Sequence, residues 1–153
     1  MTLRVIPALS VRQPWAELIL RGEKQIEVRT WATNYRGWVW LHTGKERPDD
    51  NEIDKRYGKL FRGGYVGLFL LNSILSFDRE KWDEWKEQHL NTGEYKSGTF
   101  AWIIEATVRF PVPIPAPGQL NLFYPGEAML ERLNRECYAI GATVVQDTAE
   151  PTE

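Results

Sequence analysis

The chain is poor in the residues that build metal and disulfide sites, with one cysteine and two histidines in 153 residues. A lone thiol, Cys137, excludes an intramolecular disulfide framework and any zinc site made from cysteine clusters, the pattern of a protein in a reducing interior. His42 and His89 lack an H-E-x-x-H spacing and would need distant carboxylates to hold zinc, so neither a metal nor a cofactor is expected. No uninterrupted apolar run reaches about 18 residues, and no charged segment followed by a long apolar stretch opens the sequence. The expectation is a soluble cytoplasmic protein with no membrane partner. The patterns G-x-x-x-x-G-K-[ST], G-x-G-x-x-G and G-x-S-x-G are missing too, which removes the usual support for nucleotide-hydrolase, Rossmann and serine-hydrolase readings. There is no internal repeat. Nor is there an excess of positive charge: 19 Lys and Arg against 21 Asp and Glu leave a net charge of −2. Any affinity for nucleic acid must come from a local patch.

Such a patch lies between Ser10 and Lys45, where basic and aromatic side chains interleave. Ser10 to Arg12 reads as extended; Pro14 suits a first helical turn, where its missing N–H costs nothing; Trp15, Leu18 and Ile19 recur at helical spacing; and Gly22 supplies the stop. From Gln25 to Thr30 polarity alternates, which predicts a strand with Glu27 and Arg29 on one face. Arg36-Gly37 reads as a turn, and the next strand sets Trp38, Trp40 and His42 on one face against Val39 and Leu41 on the other.

Further along, Arg47 to Lys59 reads as a polar helix or ordered excursion, Phe61 to Tyr65 as a loop, and Tyr65 to Phe77 as a buried strand bending near Asn72-Ser73. Asp78 can cap a helix over Arg79 to Leu90 whose Trp82, Trp85 and His89 share a face. Thr99 to Phe110 is another apolar strand, and Pro111, Pro113, Pro115 and Pro117 predict an extended connector outside the sheet. A last helix runs from Gly126 to Cys137 with Met129, Leu130 and Leu133 inward. From Asp147 onward the expectation is a disordered acidic tail, leaving one domain over residues 1–146.

Gly22-Glu23-Lys24-Gln25-Ile26-Glu27-Val28-Arg29 matches a G-x-K-x-x-E-x-R signature. With Ser10-Val11-Arg12-Gln13-Pro14-Trp15-Ala16, Tyr35-Arg36-Gly37 and Leu41-His42-Thr43, it resembles the ASCH domain family, relatives of the PUA-like RNA-binding domains. Gly67 and Gly118-Gln119-Leu120 extend the likeness more loosely. The resemblance implies an α+β fold: a small mixed, mainly antiparallel β-barrel with peripheral helices and a cleft along the signature strand.

The chemistry of that segment suits RNA. Glu27 can orient the Arg29 guanidinium and Lys24 can project into a cleft, although Glu27 with Arg29 is equally a plain ion pair on a barrel surface. Arg12, Arg36 and Lys45 would extend the positive patch, His42 sits near the cleft by its place in the motif, and Trp31 and Tyr35 can stack splayed bases. Trp15 and one of Trp38 or Trp40 read as core. The favoured partner is single-stranded or modified RNA rather than a duplex.

Two alternatives stay open. Some ASCH-like proteins are amidohydrolases of N4-acetylcytidine that use the signature lysine with a threonine and a later glutamate, and others are linked to RNA cleavage. Lys24 matches that lysine, and Glu27 would exchange protons with it. Yet Glu27 stands where the threonine belongs, and the strand Val66 to Ser76 has no glutamate, so deacylation is not expected. The other alternative is a module that binds a protein partner through exposed aromatic surface.

Overall fold

A computed structural model describes residues 5–141, so the expected acidic tail lies outside the described residues. Six strands, β1 (Ala8–Ser10), β2 (Ile26–Arg29), β3 (Gly37–Thr43), β4 (Gly64–Ser76), β5 (Phe100–Pro115) and β6 (Leu122–Phe123), form one sheet in the order β2-β5-β4-β3-β1-β6, curled into a half-barrel. Every pairing is antiparallel except β1 with β3. Five helices surround it: α1 (Trp15–Leu20), α2 (Asp50–Tyr57), α3 (Arg79–Glu84), α4 (Lys86–His89) and α5 (Glu127–Ala139). Among the described residues no helix is long and apolar enough to cross a membrane.

The apolar run of β3 is buried on both faces, as a strand covered on each side requires. Trp38 and Trp40 pack with Leu68, Phe110 and the α5 residue Leu133, while Val39 and Leu41 pack on the opposite face with Leu9, Phe69, Trp102 and the α1 residue Ile19. The predicted division of β3 therefore holds. At the end of α1, Gly22 adopts φ +79°, a conformation that side-chain-bearing residues rarely take, and its N–H bonds the Ile19 carbonyl at 3.0 Å. The turn delivers Lys24 and Gln25 to the start of β2. The register of β4 against β5 shifts on either side of Leu71, next to the bend expected at Asn72-Ser73.

Two expectations are corrected. The helix predicted over Arg79 to Leu90 breaks at Trp85 (φ −102°, ψ 23°), although Asp78 caps its start by accepting the Lys81 N–H at 2.7 Å. After the break the Trp82 carbonyl accepts from His89 Nε2 at 2.8 Å, and His89 Nδ1 accepts the Asn91 N–H at 3.0 Å. His89 is thus a buried structural member of a small cluster with Phe77 and Trp82. The second correction concerns the prolines: β5 runs on to Pro115, and after a register shift that leaves Phe110 to Pro113 without partners, Ile114 and Pro115 pair with Tyr65 and Gly64 of β4. Ala116 N–H bonds the Gly63 carbonyl at 3.0 Å, and Ile114 lies opposite Tyr65, so alternate N–H groups serve β4. Pro115, between those two positions, turns its ring nitrogen to the other edge. β2 does not reach that edge there, since it pairs only with Phe100–Ile103.

Candidate functional site

Where β1, β2 and the end of β3 meet the start of α1, the surface opens into a cleft of about 1190 Å³. Its floor is a hydrogen-bonded chain of side chains from three strands. On β2 the residue alternation places Glu27 beside Arg29, and Arg29 Nε donates to Glu27 Oε2 at 2.9 Å. The same guanidinium reaches β1, where Nη2 donates to the Ser10 carbonyl at 2.9 Å. Ser10 and His42 are partners in the parallel pairing of β1 with β3, and the Ser10 hydroxyl lies 3.0 Å from His42 Nδ1. His42 Nε2 completes the chain 2.8 Å from the carbonyl of Ala116. Arg29 Nη1 has no partner among the described residues.

The last contact settles the His42 tautomer. A carbonyl only accepts, so Nε2 carries the proton and Nδ1 is left as an acceptor for the Ser10 O–H. Burial pushes the His42 pKa below its ordinary 6.5, partly opposed by the Ala116 carbonyl, so the neutral ring prevails at pH 7. Tyr65 and Phe123 meet the ring edge-on, and Gly118 lies so close that a Cβ there would come within 2.4 Å of His42 Cε1. Only glycine fits, and it lets the segment from Ala116 to Asn121 form one rim of the cleft.

The walls are cationic and aromatic. Arg12, Arg29, Lys45, Arg47 and Arg62 line the cleft against two carboxylates, Glu27 and Asp50. Glu27 is neutralised by Arg29, and Asp50 pairs with Arg62 Nε at 3.0 Å. Arg12 pairs with the exposed Asp49 and, chiefly through that hydrogen bond, holds its carboxyl below the usual range. Lys45 and Arg47 are exposed, with no salt-bridge partner among the described residues. Trp15 and Trp31 are half-buried and contribute apolar surface. Trp31 stands edge-on to Trp102 at 4.9 Å, with its carbonyl accepting the Trp102 indole N–H.

Of the expected site residues, Arg12, Glu27, Arg29, Trp31, His42 and Lys45 come together here, whereas Lys24, Tyr35 and Arg36 do not. Lys24 is 1% exposed: its ammonium bonds the carbonyl of His89 and Asn91 Oδ1 (2.8 Å), lies 4.0 Å from Glu27 Oε1, and sits 4.6 Å from the centre of the Trp15 ring. It braces the back of the cleft wall, because the turn after Gly22 aims it at the end of α4. Burial lowers its pKa to about 8, with the Glu27 carboxylate pulling the other way and Arg29 adding to the fall. Tyr35 donates its hydroxyl to the Trp38 carbonyl at 2.6 Å, and burial pushes its pKa up to about 12. Arg36 closes its own turn on the Thr33 and Tyr35 carbonyls, both at 2.7 Å. Trp15, expected in the core, packs against it while also lining the cleft.

Sequence reasoning missed Ser10, Arg47 and Arg62 as cleft residues. Arg62 belongs to an Arg-Gly-Gly triplet that reads as a turn, and its pairing with Asp50 and Asp54 on α2 exists only in three dimensions. Ser10 carried a signal in its place beside Arg12, but its partner His42 is remote in sequence.

A family model described as the ASCH domain matches residues 9–114. Activating signal cointegrator 1 of Homo sapiens is 31% identical over 117 residues, covering 68% of this chain, and its Mus musculus counterpart is 30% identical over the same length. The chain spans about a fifth (20%) of those relatives. Among solved structures, a tyrosine-to-phenylalanine variant of ZmASCH from Zymomonas mobilis superposes with a TM-score of 0.62 at 16% identity, over 86% of this chain and 98% of that one. The ASCH protein of the same organism gives 0.60 at 14%, over 88% and 94%. The chain belongs to the ASCH domain family, and its α+β half-barrel is consistent with the PUA-like fold.

Proposed function

We propose that the cleft binds single-stranded RNA, taking phosphates on its cationic wall and a splayed base against Trp15 and Trp31. The observation that carries this reading is the joint presence, in one cleft, of two half-buried indoles and the cations Lys45 and Arg47, which have no salt-bridge partner among the described residues. Stacking tolerates any base and cations follow the backbone, so the arrangement fits a strand whose bases are unpaired better than a closed duplex. Membership of a family commonly linked to RNA-related roles points the same way. A modified nucleoside within RNA is accommodated by the same features.

The test is a titration of short single-stranded RNA and of duplex DNA of equal length at several salt concentrations. Tighter binding of the single strand, weakening as salt rises, is expected. No RNA binding even at low salt overturns the reading. The name of the human relative, a cointegrator, favours a protein-interaction module as the second reading, and that outcome would leave it standing.

A further inference from the structure

The two edge strands of the sheet meet at one junction. Arg29, the last residue of β2, bonds the carbonyl of Ser10, the last residue of β1, and the antiparallel pairing of Leu122 with Leu9 starts β6 at that same end of β1. Trp31 lies two residues beyond β2 and Leu120 two residues before β6, and both line the cleft. Trp31 is braced edge-on against the buried Trp102. Leu120 is 89% exposed. A single exposed leucine is ordinary on a free surface, but this one is presented by an arch fixed at both feet. At one foot Ala116 donates its N–H to the Gly63 carbonyl and accepts from His42 Nε2, with Gly118 seated against the same ring. At the other Asn121 takes the left-handed φ of +61° and Leu122 enters the sheet. The backbone of the arch is thus held before any ligand arrives, so little of its entropy remains to be lost when a ligand packs on Leu120.

We propose that Leu120 and Trp31 close on the two faces of one base, and that this clamp selects purines by the area of the ring rather than by its edge. The proposal rests on the reading that a base enters the cleft. An aliphatic side chain offers a base neither donor nor acceptor, so its contact registers apolar area alone and grows with the size of the ring. A purine covers both an indole and a leucine side chain more fully than a pyrimidine does. Adenine and guanine are alike in area and opposite in the hydrogen-bonding order of their pairing edges, so the clamp treats them alike.

The test uses six-nucleotide RNA single strands carrying one base among abasic positions, the base being adenine, guanine, cytosine or uracil, together with a fully abasic strand. Adenine and guanine should bind within about twofold of each other and about fivefold tighter than either pyrimidine. Leu120→Ala, which truncates a side chain that the fold leaves in solvent, should erase that preference and leave the abasic strand unchanged, while Leu120→Met should keep it. In the double variant with Trp31→Ala, the combined loss should fall short of the product of the single losses, because both side chains hold the same ring. Equal binding of the four bases, a purine preference that persists in Leu120→Ala, or losses that simply multiply overturn the clamp and leave RNA binding intact. A Leu120→Ala variant that weakens the abasic strand as much as the others also overturns it. No binding of any strand overturns both this inference and the function it rests on.

Discussion

The ammonium of Lys24 is hydrogen-bonded to the main-chain carbonyl of His89, the last residue of α4. The signature lysine is therefore a strut between the start of β2 and the end of a helix, 1% exposed, rather than a group at the mouth of the cleft. Removing it takes the donor from the His89 carbonyl and leaves Arg29 as the remaining cationic partner of the buried Glu27 carboxylate among the described residues.

That strut has a pH signature. The Lys24 pKa is about 8 when folded against 10.5 in the free side chain, so between those values the unfolded chain holds more protons and stability rises with pH. Cys137, raised from 9.0 to about 12, and Tyr35 and Tyr65, raised from 10.0 to about 12, act in the opposite sense from pH 9 upward. The clean interval is pH 8 to 9. There the parent should gain up to about 1 kcal/mol relative to Lys24→Met in urea unfolding. A constant difference between the two proteins across that interval would show that Lys24 does not titrate as described.

Acid should act through the two histidines. Burial is the chief cause of the lowered pKa of both His42 and His89. For a base whose folded pKa is depressed, the stabilising contribution is complete above the unfolded value of 6.5 and is lost as pH falls below it. The unfolding midpoint should drop between about pH 7 and about pH 5.5, and His89→Gln should flatten part of that slope. An unchanged slope in this variant would assign the acid sensitivity elsewhere.

Lys45 and Arg47 should contribute to RNA affinity through phosphates. Each substitution by Ala should weaken all single strands about equally and lower the slope of log affinity against log salt by about one. Trp31→Ala should cost about 1–3 kcal/mol of binding with the slope unchanged, since stacking releases no counterions. A change in slope for the tryptophan variant would contradict the division of labour between the cations and the indoles of the walls.

N4-acetylcytidine should not be deacylated. Glu27 occupies the threonine position, β4 carries no glutamate, and the Lys24 ammonium is engaged away from the cleft. Incubating the protein with N4-acetylcytidine and following cytidine release checks this, with Lys24→Ala as the control. Rapid release by the parent that disappears in the variant would make the hydrolase the better reading.

Local pattern made much of this molecule legible. Gly22 marks the helix end, the alternation after it sets Glu27 beside Arg29, and β3 shows both buried faces in four consecutive apolar residues. What escaped depends on contacts remote in sequence. The break at Trp85 follows from packing against Phe77 and from the His89 ring taking the Trp82 carbonyl. The strand character of the proline segment depends on β2 being too short to need the missing N–H groups. Lys24 was expected in the cleft because spacing reports distance along the chain, and only the position of α4 reveals where its ammonium ends.

The prolines on the outer edge of β5 also decide what this sheet can become. An open edge with free N–H groups is a template on which another chain can lay a strand. Pro111, Pro113 and Pro115 have no N–H to offer in that stretch, while the Ala116 N–H beyond it serves the Gly63 carbonyl. The far end of the longest strand, from Pro111 to Pro115, therefore offers a second copy no run of alternate donors to pair with.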